Sequence, residues 1–160
     1  MFRPTVPADT PALLTLAEGT GVFKPHELEA LQEVLDDYHA VNHTFGHTAY
    51  TWEEDGTPAG FAYYAPTAMT DRTWELWWIA VEKSRQGRGL GRVMLDLVEQ
   101  DVRRNAGRLL LIETSSLPHY EPTRRFYLKQ GYALAAQIAD FYADGDDKVI
   151  FAKRMADVIA

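Results

Sequence analysis

The segment from Leu76 to Val102 restricts this chain more than any other stretch. It opens with a short apolar run, Leu76 to Val81, whose aromatic and β-branched residues read as a buried strand. A glycine-rich turn follows, and Leu90, Met94, Leu97, Val98 and Val102 then recur on one side of an amphipathic helix. A strand that passes through glycines into a helix presents free backbone N–H groups and the positive end of a helix dipole. Gly87, Gly89 and Gly91 let the backbone take left-handed torsions and approach a ligand closely. Arg85, Arg88 and Arg92 add positive charge. This combination suits a phosphate or pyrophosphate.

Two common nucleotide loops do not fit. A Walker A loop needs G-x-x-x-x-G directly before Lys-Ser or Lys-Thr, and Lys83-Ser84, the one such pair, follows a strand and precedes the glycines. A G-x-G-x-x-G fingerprint fails at Arg92 when read from Gly87 and at Met94 when read from Gly89. The pattern that does fit is [QR]-x-x-G-x-[GA], read as Gln86-Gly87-Arg88-Gly89-Leu90-Gly91. It resembles the acyl-CoA pyrophosphate loop of the GNAT superfamily of N-acetyltransferases. A bare G-x-G would be only a flexible turn; the position between strand and helix is what gives the motif weight.

At 160 residues the chain is expected to form a single domain over 1–160, and 46% hydrophobic content is ordinary for a globular protein. There is no cysteine, which excludes disulfides, thiolate metal sites and a cysteine nucleophile. Met1 to Val6 has no apolar leader character and no apolar run approaches bilayer length, so a cytoplasmic protein without a membrane partner is expected. A net charge of −7 argues against nucleic acid as principal partner and is compatible with a cationic substrate.

Along the chain, Phe2-Arg3 reads as a first strand. A helix starting between Pro7 and Thr10 should bury Leu13, Leu14, Leu16 and Ala17, and Gly19 and Gly21 stop it. A second helix begins near Pro25, with Leu28, Leu31, Leu35 and Tyr38 facing the core and Glu29, Glu33, Asp36 and Asp37 facing solvent. His39, His43 and His47 follow at four-residue spacing, which suits either two imidazoles on one metal or a frayed helix end; with no carboxylate or cysteine completing a ligand set, no metal is expected. Thr48 to Glu53 and Ala59 to Ala65 form a hairpin about Asp55-Gly56. Thr73 to Val81 is the central strand, Gly89 to Asn105 a helix, Arg108 to Glu113 a buried strand, and Pro122 to Gln130 a helix closed by Gly131. Tyr132 to Tyr142 and Lys148 to Lys153 form a last hairpin about Asp144-Gly145-Asp146. The order β-αα-βββ-α-β-α-ββ implies an α/β chain with a mixed, mostly antiparallel sheet flanked by helices, in which one strand–helix–strand unit adds a parallel pair.

Arg124 to Tyr132, with its aromatic pair Phe126-Tyr127 and Gly131-Tyr132, resembles the second recurrent stretch of the GNAT family. Departures fall at Lys83, where the family often has proline, and at Tyr120 and Thr123, where it often has Asn and Ala. The resemblance implies acetyl-CoA as co-substrate, held between two splayed parallel strands, Trp74 to Val81 and Arg108 to Glu113. Its pantetheine arm would bond the backbone of Ile79, Ala80 and Val81, and its pyrophosphate would sit on Gln86, Gly87, Arg88, Gly89, Leu90, Gly91 and Arg92. A primary amine, a small molecule rather than a protein, would attack the thioester directly in a ternary complex. Tyr127 aligns with the tyrosine whose hydroxyl meets the departing thiolate, against the plain reading of a core tyrosine; Phe126 reads as core. Glu75 aligns with the carboxylate some members use as base, and would share its strand face with residues 77, 79 and 81 in an unbroken strand. Glu113 and water are the other candidate proton acceptors. A non-catalytic acyl-CoA sensor is the competing function, and a second copy of the chain remains a candidate partner. Trp52, Tyr63, Tyr64, Trp74, Trp77 and Trp78 should mostly pack in the sheet, with one or two left to line an acceptor pocket. Asp140, Asp144, Asp146 and Asp147 read as a turn cluster near the terminal hairpin, which in the family often borders the acceptor site.

Overall fold

The periodicities of the sequence become seven strands and four α-helices among residues 1–155, which the computed structural model describes. Residues 156–160 of the expected domain lie outside the described residues. In chain order the elements are β1 (Phe2–Pro4), α1 (Thr10–Gly19), α2 (Pro25–Ala40), β2 (Thr48–Glu54), β3 (Thr57–Pro66), β4 (Thr73–Val81), α3 (Leu90–Arg104), β5 (Leu109–Ser115), α4 (Glu121–Lys129), β6 (Ala133–Ala143) and β7 (Asp146–Arg154). The sheet order is β1-β2-β3-β4-β5-β7-β6. β4 and β5 run parallel, through Thr73↔Leu109 to Leu76↔Ile112, and the β1–β2, β2–β3, β5–β7 and β6–β7 pairs are antiparallel. This is the mixed α/β architecture expected from the element order.

The chain forms two compact units, Met1–Pro66 with Trp77–Val98, and Thr67–Leu76 with the chain from Glu99 onward. In the first unit, Leu13, Leu16 and Ala17 of α1 and Leu31 and Leu35 of α2 pack with Ala49, Phe61 and Tyr63 of the β2–β3 hairpin. Each such leucine contributes about 1.5–3 kcal/mol by leaving water. Leu14, Leu28 and Tyr38, also expected in the core, are only partly buried against this cluster. The helix starts follow from local chemistry: Pro25 opens α2, and Glu27 accepts the Lys24 backbone N–H at 3.0 Å, satisfying one orphan donor. Asp9 receives both guanidinium nitrogens of Arg3 (2.8 and 2.9 Å) and the Val6 N–H (2.9 Å), which ties β1 to the start of α1. Asp55 (φ 53°) and Gly56 (φ 74°) make the tight β2–β3 turn, and the register then slips between Trp52 and Glu53.

In the second unit a buried carboxylate joins three elements. Glu99 of α3 is 3% exposed and accepts the Tyr132 hydroxyl at 2.9 Å and Lys153 Nζ at 2.9 and 3.2 Å. Lys153 also donates to the Gln130 carbonyl (2.9 Å), and Arg103 lies 3.4 Å from the same carboxylate. Gly107 closes α3 where no side chain fits, since a Cβ there would fall 2.3 Å from Val102 Cγ1 and 2.9 Å from Trp74 Cδ1. Along β6 every residue is exposed, including Leu134, Ile138, Phe141 and Tyr142.

Candidate active site

The turn between β4 and α3 is built from two left-handed glycines, Gly87 (φ 79°) and Gly89 (φ 80°), with Arg88 between them. No atom lies within 4 Å of where a Cβ would stand on either one, so the backbone faces open space. Val93 N–H bonds the Gly89 carbonyl at 3.1 Å as the first turn of α3. The N–H groups of Leu90, Gly91 and Arg92 precede any intrahelical acceptor and point out of the helix start, at the positive end of its dipole. The loop is braced from below. Gln86 Nε2 donates to the Val81 carbonyl at 3.0 Å, and Glu82 N–H donates to the Ala59 carbonyl at 2.8 Å.

The three arginines of this loop are not equivalent. Arg85 is bound to Glu54 and lies 3.8 Å from Glu82, so its charge is offset within the protein. Arg88 and Arg92 are exposed and form no ion pair among the described residues. Of the three arginines, Arg88 and Arg92 thus keep their charge unpaired within the described residues.

β4 does not alternate regularly. Trp77 meets the rings of Tyr63 (5.3 Å) and His47 (5.1 Å), and Trp78, the next residue, packs with Phe23 (5.3 Å) against the same core. Ile79 and Val81 pack instead with Leu90 and Met94, and Ala80 returns to the first cluster. Two consecutive side chains on one face mean a one-residue slip at Trp77–Trp78. Trp77 therefore does not share a face with Ile79 and Val81, as an unbroken strand would require. Glu75 itself is half-buried, on the part of β4 that precedes the slip.

Tyr127 lies on α4 in the second unit, 5% exposed, with its ring against Tyr132 (6.0 Å) and Phe151 (5.8 Å). Burial, with a smaller contribution from Tyr120, pushes its phenol well above the usual range, so the hydroxyl stays protonated at neutral pH. That hydroxyl has no hydrogen-bond partner among the described residues. Phe126, expected in the core, is half-buried and lines a shallow depression with Glu121, Pro122, Arg125, Lys129 and Gln130. Glu113 is exposed and paired with Lys148 Nζ at 2.9 Å.

The three histidines do not converge on a common point as ligands. His43 Nδ1 bonds the Tyr38 carbonyl at 2.8 Å, His47 Nδ1 bonds the Tyr63 hydroxyl at 2.5 Å, and His39 Nε2 is buried without a partner. Among the described residues no three His, Asp or Glu side chains are placed to hold a metal. The aspartates of the last turn satisfy one another's backbone: Asp147 accepts Asp140 N–H (2.9 Å) and Gln137 Nε2 (2.8 Å), and Asp140 accepts Gly145 N–H (2.7 Å). Arg124, which carried no role in the sequence, donates to the carbonyls of Ser115 (2.8 Å) and Leu117 (3.0 Å) and so fixes the loop that enters α4. Its neighbours Phe126 and Tyr127 were the only local signal that could have drawn attention to it.

Residues 13–132 match the family described as Acetyltransferase (GNAT) family. The chain belongs to the GNAT acetyltransferase family. The match ends at Tyr132 and so includes both the Gln86–Gly91 loop and the Arg124–Tyr132 stretch. A GNAT-family protein from Desulfovibrio desulfuricans shares 41% identity, over 98% of this chain and 99% of its own, with a TM-score of 0.93. The ribosomal-protein-S18-alanine N-acetyltransferase from Escherichia coli has the same fold at 17% identity, covering 98% and 94% of the two chains with a TM-score of 0.79. A Salmonella typhimurium protein solved with acetyl-CoA does so at 17% identity, 100% and 96% coverage and a TM-score of 0.77. No curated protein matches the sequence. GNAT membership places the chain among acyl-transferring proteins. No helix among the described residues is long and apolar enough to cross a membrane.

Proposed function

We propose that this chain moves an acetyl group from acetyl-CoA to a primary amine by direct attack, without an acyl-enzyme. The observation that carries the reading is the loop at Gly87–Gly89, where left-handed glycines, the start of α3 and the unpaired Arg88 and Arg92 make an exposed anion seat. Acetyl-CoA bound in the Salmonella relative of the same fold supports the choice of anion. The pyrophosphate would rest on the backbone of residues 86–92, and the pantetheine arm would extend along Ile79, Ala80 and Val81. The Val81 carbonyl already accepts Gln86, which leaves it one further lone pair for that arm.

Direct transfer requires a neutral amine nitrogen, which attacks the thioester carbonyl carbon. The C–S bond then breaks, the amide forms, and the amine's surplus proton leaves. In this reading Tyr127 gives its hydroxyl proton, or a hydrogen bond, to the departing thiolate, and its raised pKa keeps that proton in place beforehand. Glu75, directly or through water, accepts the proton from nitrogen. Glu113 is a poorer choice because Lys148 already compensates its charge. The absence of cysteine is consistent with a single-step transfer.

Isothermal titration with acetyl-CoA, ATP and NAD tests the reading. Heat for acetyl-CoA alone supports it, and heat for ATP with none for acetyl-CoA refutes it. Release of free CoA on addition of a primary amine then separates an enzyme from a non-catalytic sensor, which binds but does not turn over.

A further inference from the structure

Beside the slip in β4, the first unit carries an aromatic group that the chemistry above leaves unused. Trp77 is 43% exposed although it sits within a strand of the sheet. Its indole is braced by the fully buried Tyr63, at 5.3 Å and 37°, and by the edge of His47 at 5.1 Å and 79°. Tyr38 closes the set edge-on against Tyr63 at 5.8 Å, and the Tyr63 hydroxyl holds His47 through the 2.5 Å bond to Nδ1. The result is an aromatic face presented to solvent and fixed in place by its neighbours, so little rotamer freedom remains to be lost when a ligand docks.

Burial, with smaller contributions from Tyr38 and Asp37, pushes the Tyr63 phenol well above its usual range, so the hydroxyl that holds His47 stays protonated. Burial also holds His47 below the usual imidazole range, so it carries no cation at neutral pH. The indole N–H of Trp77 donates to no group among the described residues. An exposed electron-rich ring beside a neutral imidazole favours a cation over an anion.

We propose that Trp77, backed by Tyr63 and His47, is a subsite for a cationic group of the acceptor amine, distinct from the nitrogen that is acetylated. The nitrogen must be neutral when it attacks, so a positive group that stays here during transfer belongs to a second amine or quaternary centre. This favours acceptors of the diamine or polyamine class over monoamines. The inference rests on the acetyl-transfer reading for its biological meaning, but the subsite itself is testable without it.

The test uses the four indole N–H signals of the ¹⁵N-labelled protein. The signal that vanishes in Trp77→Phe, while the other three persist, identifies Trp77 and verifies folding of the variant. Tetramethylammonium and uncharged tert-butanol are then titrated in turn. Saturable movement of the Trp77 signal by tetramethylammonium, with about 2- to 30-fold tighter binding than tert-butanol, is the expected result. Equal or non-saturating responses to the two probes overturn the proposal. A parallel calorimetric titration with acetyl-CoA keeps the two claims apart: its failure removes the acetyl-transfer reading and leaves the cation subsite standing.

Discussion

Replacing Gly89 by valine separates the geometry of the loop from the stability of the fold. At φ 80° an L-residue is strained, by about 1–2 kcal/mol. No atom lies within 4 Å of the new Cβ, so overpacking adds nothing to that strain. For a chain of this size, 1–2 kcal/mol lowers Tm by about 2–8 °C. Binding should suffer more. The new methyl groups stand where the proposed pyrophosphate approaches the backbone, and losing one charge-assisted hydrogen bond, about 1.5–3 kcal/mol, weakens Kd by roughly 10- to 100-fold. Gly145→Val is the matched control, since Gly145 also has φ 80° and no atom within 4 Å, but lies in the β6–β7 turn. Thermal unfolding should give similar Tm losses for both variants, while calorimetry with acetyl-CoA should find weak binding only for Gly89→Val. If Gly89→Val binds acetyl-CoA as the parent does, the loop is not the pyrophosphate seat.

Other outcomes follow from the same structure. Tyr127→Phe keeps the ring packing and removes the donor, so kcat should fall by roughly 10²–10⁴ at most with little change in acetyl-CoA affinity; full activity removes Tyr127 from the chemistry. Glu75→Gln should slow the reaction chiefly below the acceptor's pKa, where most amine is protonated, and a variant active across the whole pH range points to Glu113→Gln or water as the next assignment. Glu99→Ala leaves the buried Tyr132 hydroxyl without an acceptor and Lys153 without its partner, costing about 2–4 kcal/mol in urea unfolding at constant m-value; a loss under about 0.5 kcal/mol contradicts the network's structural role. The Arg3 guanidinium bonds hold the Asp9 carboxyl below its usual range, so its contribution is complete above about pH 4 and is lost as pH falls through the depressed folded-state value. Asp9→Asn should therefore be less stable than the parent at neutral pH and converge with it in acid-titrated unfolding curves.

The order of elements was legible because each one carries its own local chemistry. Pro25 with Glu27, the Asp55-Gly56 turn and the glycines before α3 each specify their geometry within a few residues. What the sequence could not supply were one-residue slips. A two-residue turn at Asp55-Gly56 predicts pairs such as Glu54↔Thr57, but beyond the irregularity the hairpin runs as Trp52↔Gly60 and Thr48↔Tyr64. That single extra residue, next to Ala59, decides which faces of β3 meet the helices, and no local motif announces it. The slip at Trp77–Trp78 is of the same kind, and it turns Trp77 away from the face of Ile79 and Val81. Tyr63, His47 and Trp77 lie on separate segments and meet only in the fold, so no spacing in the sequence connects them. The Glu99–Tyr132–Lys153 contacts were equally invisible, since a glutamate on an amphipathic helix reads as solvated until its neighbours in space are known.

The position of β7 has a consequence for biosynthesis. It is the last strand described in the chain, yet it lies inside the sheet, between β5 and β6. As the polypeptide leaves the ribosome, β5 and the wholly exposed, apolar β6 emerge before the strand that joins them. Until Asp146–Arg154 arrives, the β5 edge that later pairs with it has open backbone donors and acceptors from Leu109 to Ser115. The nascent chain thus passes through a stage with two unsatisfied strand edges, the kind of surface that recruits neighbouring chains or a chaperone. Truncation within β7 would make that stage permanent, and loss of this short segment should therefore harm yield out of proportion to its length.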